Sequence, residues 1–491
     1  MLKILIDNFL GKNPLWYKLT ILAFLAVNPL VFHFASPFAA GWLLLIEFIF
    51  TLALALKCYP IPSGGLLALE AVIIGITTPE GVYKEVASNL PTLLLLIFMV
   101  ASVYYVKDIF FLIFTKTFIF VRRKYVLSFL FFLISAVVSA FLDALTLMAV
   151  IIAACSNFYA IYHRHQVASR MFDGDEEKIR MTEQELEEFC GFLRNIIMHG
   201  AVGTVMGGAM TLVGEPQNMM IGTMMGWSFM GFAEHCLKIS LPVMLTGLVL
   251  CPLLEIFKCP GFGYQLPENA RQAILENYMK KASQIDRQTI VLYIIQGVAS
   301  VFLILGLAFH VAEVGLIGIA MIIVLAALTG MTKEHDFVEA FHHAMPFVTL
   351  LTIFFAILAV VHDQHLVAPL SAWVFTFQGK AQLIALYIAN GTLSFVSDNV
   401  FIATVFINEM QEAFQNGAFA QEWFEKLAVV VNMGTNIPAM ATPNGHAALL
   451  FLLTSSLAPM IKLSYMRMLK LTLPYTIAMS ITGGLAVYFW L

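Results

Sequence analysis

Apolar runs long enough to cross a bilayer recur along the whole chain, at 19–35, 39–56, 91–106, 125–161, 238–257, 289–309, 314–330, 346–361, 381–407, 427–458 and 471–490. A membrane helix needs about 20 mostly apolar residues, and the longest runs would hold two passes or one broken pass, so the pattern predicts roughly 11–12 crossings. Runs of this length suit helices rather than the ~10-residue alternating strands of an outer-membrane barrel. The expected fold is an all-α polytopic membrane protein. Composition agrees: 60% of the 491 residues are apolar and 12% charged, with a mean hydropathy of +0.86. Soluble domains carry about 25% charged residues.

The polar stretches set the organisation. Residues 1–18 carry Lys3, Lys12 and Lys18, but the next apolar run is span-length and has no small-x-small cleavage site, so it reads as a first span rather than a signal peptide. The two longest polar segments, 162–194 and 259–288, read as surface loops. With Arg122-Arg123-Lys124 and the Lys462–Lys470 stretch they hold the densest Lys and Arg. The positive-inside tendency puts all four in the cytoplasm, and the Lys/Arg-poor stretches 78–90 and 307–313 outside. The expected divisions are N-terminal scaffold helices at 1–120, a first core at 121–258, a cytoplasmic linker at 259–288, further scaffold helices at 289–380, and a second core with the last span at 381–491. No phosphate-binding GxxxxGK[ST] occurs, so ATP drive is not expected. The six cysteines form no CxxC or His/Cys cluster and read as buried thiols.

Those two cores rest on a short internal repeat. SAFLDALTLMAV (139–150) resembles SFVSDNVFIATV (394–405) with Asp143 and Asp398 255 positions apart. Downstream, GTVMGGAMTLVGEPQN (203–218) and GTNIPAMATPNG (434–445) align at an offset of 231. The difference is about the length that the 162–194 loop adds to the first copy. Duplicated units of this kind, with Gly/Pro/Asn-broken helices, fit the plan of secondary transporters.

The chemistry concentrates in the same motifs. An ionised side chain at mid-membrane costs at least ~2.5–3.5 kcal/mol, so it needs a partner or a task. Asp143 has no other charge within eighteen residues on either side, and Asp398 has none between Lys380 and Glu409. Thr146 follows the first; Asn399 and Thr404 follow the second. Carboxylate, amide, hydroxyl and freed carbonyl oxygens are hard ligands that suit a small hard cation. A carboxylate can hold a proton or help hold a cation, but not both well, which is the core of cation/proton exchange. The plainer alternative is an aspartate that only locks two helices together.

Gly214-Glu215-Pro216-Gln217-Asn218 and Thr442-Pro443-Asn444-Gly445 cannot continue a helix. Non-helical backbone at membrane depth survives only inside protein or along a wet cavity. Glu215, Asn218, Thr435, Asn436, Thr442 and Asn444 therefore join the candidate site. Glu47 and Glu70 read equally well as helix–helix bonding, and Glu255, Glu313 and Glu409 as snorkelling acids at span ends. His310, His362 and Asp363 read as surface or vestibule residues.

FLGKNPLWYKL (9–19), IEFIFTLALALKCYP (46–60), SAFLDALT, VGEPQNMMI, SDNVF, TNIPAMATPNG, FLLTSSLAP and LSYMRM, in that order, resemble the bacterial NhaB-type sodium/proton antiporters over essentially the whole chain. The resemblance implies a bacterial inner-membrane protein with two inverted repeats, each with a re-entrant hairpin and a broken helix, and a homodimer. It implies exchange of cytoplasmic Na⁺, or Li⁺, for external H⁺, with no cofactor beyond the transported ions. Carried over by motif, the ion-site set is Asp143, Asp398, Asn399, Thr146, Glu215, Asn218, Asn436, Thr442 and Asn444. A sodium-coupled carrier of dicarboxylate-like anions is the main rival, and the lack of Lys or Arg in these motifs disfavours it. An intramembrane zinc protease would need HExxH on a span, and none is present. The topology has its own check: single cysteines placed in 162–194 or 259–288 should resist impermeant thiol reagents applied outside intact cells, and ready labelling there would reverse the assignment.

Overall fold

The computed structural model of the chain describes residues 7–54, 57–172, 176–342, 344–395 and 397–491, and among these it is helical with no strand. Leu15–Phe34, Ala144–Arg164, Glu183–Met210, Phe229–Ile256, Arg287–Ala308 and Tyr465–Trp490 are each long and apolar enough to cross a membrane. The pair Pro79–Ser88 and Leu90–Tyr104, bent by 55°, would add a seventh span. Five shorter apolar helices complete the set: Pro37–Ala53, Pro60–Ile74, Lys124–Ser139, Val314–Thr329 and Val348–Asp363. Pro37, Pro60, Pro79 and Pro216 open their helices at the position where a missing N–H costs nothing.

The long apolar runs are divided by breaks. The run at 125–161 becomes Lys124–Ser139 and Ala144–Phe172; the run at 381–407 becomes Lys380–Ser394 and Asn399–Gln415. The run at 427–458 becomes Gln421–Asn436, a 3₁₀ turn Pro438–Ala441, and Ala447–Thr454. The loop expected at 162–194 is shorter than its charge suggested. Helix Ala144–Phe172 enters it, residues 173–175 lie outside the described ones, and helix Glu176–Met210 runs out of it. Phe189, Phe192, Leu193 and Arg194 are already buried.

The two segments that carry the similar motifs, the first and second copy, pack alike. Lys124–Ser139 packs along Glu176–Met210, and Lys380–Ser394 along Gln421–Asn436. In the first pair Gly207 sits so close that a Cβ would lie 1.9 Å from the Ala136 carbonyl oxygen. In the second copy Gly391 of Lys380–Ser394 lies against Pro438, at the start of the 3₁₀ turn that follows Gln421–Asn436. Ala136 and Gly391 are 255 positions apart and Gly207 and Pro438 231, the offsets read from the motifs. Small residues let membrane helices approach this closely. The copies also clasp one another: Pro216–Met225 packs on Asn399–Gln415, and Ala447–Thr454 packs on Ala144–Phe172.

Glu255 does not snorkel. Its side chain is 2% exposed, with Lys124 Nζ 2.8 Å from Oε2 and His199 Nε2 2.8 Å from Oε1. The Gly263 N–H donates to Oε2 at 2.9 Å, and the other nitrogen of His199 lies 2.7 Å from the Tyr475 hydroxyl. The chain 259–263 folds back over the end of Phe229–Ile256 and closes the carboxylate off, so one acid joins three helices of the first copy to the last span. Glu47 and Glu70 follow the helix-bonding reading: the Asn28 amide donates to both, at 2.7 and 2.8 Å. Removing one partner of a buried ion pair typically costs about 3–5 kcal/mol. Glu255→Leu should therefore lower thermal stability in detergent by that order, and adding Lys124→Met should recover a large part; an equal loss in both variants would deny the pair its role.

Candidate functional site

An α-helix begins with backbone N–H groups that have no partner inside the helix, and its N-terminus carries partial positive charge. In this chain the breaks within the long apolar runs create such ends, and the sequence places acids or hydrogen-bonding side chains on them. Asp143 precedes Ala144–Phe172, and its Oδ2 accepts from the Thr146 N–H at 3.0 Å and the Thr146 hydroxyl at 3.1 Å. Asp398 precedes Asn399–Gln415, and its Oδ1 accepts from the N–H groups of Val400 at 2.9 Å and Phe401 at 3.4 Å. Both aspartates thus stand at helix starts. The sequence places them within long apolar runs without locating the breaks; Asp is a preferred N-cap because its short side chain reaches these N–H groups.

The second break of each copy has the same form. Glu215 occupies the N-cap position of Pro216–Met225, and His446 that of Ala447–Thr454. His446 Nδ1 accepts from the Ala448 N–H, which leaves Nε2 turned to Glu215, 3.2 Å from Oε1. Neither side chain is more than 2% exposed. Glu215 and His446 are 231 positions apart, so equivalent residues of the two copies meet face to face. The motifs that point to the other site residues give no sign of His446. The offset that aligns Gly203-Thr204 with Gly434-Thr435 would have found it opposite Glu215. Gly445 lets the second break fold this tightly: a Cβ there would lie 2.3 Å from the Ser394 carbonyl oxygen.

Other candidates divide into those that hold the breaks and those with oxygens to spare. The Thr442 hydroxyl donates to the Phe395 carbonyl at 2.7 Å and accepts from the Gly445 N–H at 3.1 Å, joining the two breaks of the second copy. The Asn218 amide donates to the carbonyls of Gly208 and Thr211, at 2.8 and 2.6 Å. Asn436 Oδ1 accepts from Gln217 at 2.8 Å and faces the Asn399 amide at 3.5 Å, while its own NH₂ donates to Asn432. The hydroxyls of Thr404 and Thr435 are taken by carbonyls of their own helices. In contrast, the side-chain carbonyl oxygens of Gln217, Asn218, Asn399 and Asn444 are buried with no hydrogen-bond partner among the described residues. A buried oxygen in that state costs roughly 1–3 kcal/mol. Among the described residues no three of His, Cys, Asp or Glu group as metal ligands, so the donors here are carboxylates beside neutral oxygens.

A cavity of about 1140 Å³ opens onto this region. Thr146, Leu145 and Asp398 line it, together with Lys57, Lys107 and Asp108. Asp143 is buried behind Thr146, whereas Asp398 is half-buried and borders the open space. His362 and Asp363, considered for a vestibule, pair elsewhere: His362 with Glu85 at 3.4 Å and Asp363 with the Thr77 hydroxyl at 2.7 Å.

The arrangement has counterparts among known proteins. The family described as Bacterial Na+/H+ antiporter B (NhaB) matches residues 1–491. A protein of Serratia proteamaculans named Na(+)/H(+) antiporter NhaB is 49% identical over 497 residues, covering 99% of this chain and 94% of its own. The protein of that name from Yersinia enterocolitica is 52% identical over 490 residues, covering 99% and 93%, and one from Pseudomonas putida is 49% identical over 496 residues, covering 99% and 98%. Motif order, likeness and coverage agree from end to end, and the chain belongs to the bacterial Na+/H+ antiporter B family.

Proposed function

We infer that this chain is a secondary active antiporter that exchanges Na⁺, and the smaller Li⁺, for H⁺, and that the exchange is carried by Asp143 and Asp398. The observation that carries the site assignment is the pairing of two acid-capped helix starts, Thr146 and Asp398 lining one cavity, with unpartnered amide oxygens in the adjoining breaks. Each carboxylate offers its charge either to a proton or to a cation. With Asn399, Asn218 and Asn444 adding neutral oxygens, a dehydrated alkali ion could be held; without it, a proton neutralises the acid. Thr146, Glu215, Asn436 and Thr442 support the same region, several of them by holding the breaks in shape. A sodium-coupled anion carrier would offer its substrate a cation at the breaks, and these contain no Lys or Arg.

The reading extends to the setting. The cores are 121–258 and 381–491, joined through the linker 259–288, with 1–120 and 289–380 as scaffold. The two cores are inverted repeats, the protein lies in the bacterial inner membrane with 162–194 and 259–288 in the cytoplasm, and two copies form a dimer. Na⁺ leaves the cytoplasm as H⁺ enters. Because each copy's second break is seated on the other's aspartate-capped helix, a rocking of one copy against the other would carry both half-sites together.

Asp143→Asn and Asp398→Asn should each insert normally and lower Na⁺-driven H⁺ movement in proteoliposomes at least about tenfold, a loss of about 1.4 kcal/mol or more; wild-type rates in both would remove the assignment. A second measurement addresses the competition. Na⁺ binding favours the ionised carboxylate and so expels its proton, and acid correspondingly weakens Na⁺ binding. Adding Na⁺ to purified protein in weak buffer should release protons, and apparent Na⁺ affinity should fall by up to about tenfold per pH unit for each proton displaced. Na⁺ binding with no proton release would favour a sodium symporter.

A further inference from the structure

We propose that Gln217 is an ion-contacting residue of the exchange site, its side-chain carbonyl serving the first copy as the Asn399 carbonyl serves the second, and that Asn436 is the hub that aims both. The proposal rests on the site reading given above. Gln217 lies in the first turn of Pro216–Met225 and is wholly buried. Its NH₂ donates to Asn436 Oδ1 at 2.8 Å. An amide has a donor end and an acceptor end, so anchoring the first fixes the direction of the second. That second end, Oε1, has no partner among the described residues, and neither does Oδ1 of Asn399, whose NH₂ faces the same Asn436 oxygen at 3.5 Å.

Asn436 cannot turn over to relieve them. Its NH₂ donates to the Asn432 backbone carbonyl at 2.9 Å and to Asn432 Oδ1 at 2.8 Å. The Asn432 NH₂ in turn faces the Ala209 carbonyl at 3.3 Å, just ahead of the first break. Donor direction is therefore consistent along a chain of amides: Gln217 and Asn399 donate to Asn436, Asn436 to Asn432, and Asn432 to Ala209. Both electron-rich ends of the Asn436 neighbours are left over, one from each copy. A cation meets the need of such an oxygen without any donor, whereas Asn436 has its oxygen committed and none to give. Its two clients share one acceptor atom, so a pull on either carbonyl is felt by the other, which couples the copies at the site itself.

If Gln217 were only a brace between the breaks, its loss would reduce the amount or stability of inserted protein and leave ion affinity alone. Gln217→Met keeps the reach and bulk of the side chain without either polar end. In proteoliposome exchange it should raise the half-saturating Na⁺ concentration at least about tenfold and shift the Na⁺-to-Li⁺ preference, with the maximal rate per inserted protein within about threefold of wild type. An unchanged half-saturation and ion preference overturns the proposal. Should Gln217→Met fail to insert, Gln217→Glu decides: a carboxyl at a ligand position must give up its proton when Na⁺ arrives, so more protons should be released per Na⁺ bound than in wild type, and equal release overturns the proposal. Asp143→Asn and Asp398→Asn run alongside. If these keep wild-type half-saturation, the site reading fails; if they lose it and the Gln217 variants behave as wild type, only the role of Gln217 falls.

Discussion

A backbone N–H left bare within a bilayer has no water to bond, and interrupting a helix there exposes several at once. The rest of this fold follows from how that demand is met. At 140–143 and 395–398 the chain stops a helix and starts another, and the new start is answered by an aspartate. At 211–215 and 437–446 it breaks again; His446 accepts from the Ala448 N–H at the second of these, while Glu215 holds the N-cap position of the first without a side-chain capping bond. Helix ends oriented in this way attract negative charge. An acid too costly to hold in an apolar helix is stabilised at a break, so the features that interrupt secondary structure also allow ionisable chemistry at depth.

The breaks would not survive singly. A loosened segment needs walls on every side, and here each copy supplies the walls of the other: Pro216–Met225 against Asn399–Gln415, and Ala447–Thr454 against Ala144–Phe172. Close backbone approach at Gly207, against Ala136, and at Gly434, against Tyr387, brings the supporting helices near enough to close the packing. The Lys124–Glu255–His199–Tyr475 cluster fastens the last span to the first copy at one end of the same assembly. Thr472, one turn from Tyr475, donates to the Ala441 carbonyl and carries that fastening to the edge of the second break.

Much of this was legible in the sequence where a residue was costly in its surroundings. Asp143 and Asp398 stood out because nothing nearby offsets their charge, and GEPQN and TPNG because Pro and Gly cannot continue a helix. Glu255 reads as a snorkelling acid because its partners Lys124 and His199, and Tyr475 beyond His199, come from three other helices and no spacing relates them. Asn436 reads from the sequence as a polar residue of a broken segment, but where each of its ends points depends on Asn432 and Gln217, and amide orientation leaves no trace in composition. Histidine after a Gly-rich turn is ordinary, so only the offset of 231 distinguishes His446. The breaks at the aspartates themselves were hidden, since SAFLDALT and SFVSDNVF contain no proline or glycine.

The meeting of Glu215 with His446 has a consequence for how such a protein can arise. In an assembly of two identical chains, residues that face one another across the symmetry axis are the same residue, so an acid there must confront an acid and a base a base. Joining the two units in one polypeptide lifts that restriction. Positions 215 and 446 remain equivalent in place yet differ in kind, one able to give a negative charge and the other to accept a proton. A single chain carrying two similar units can therefore place one unlike pair where they meet, whereas on the axis of two identical subunits only like residues can meet.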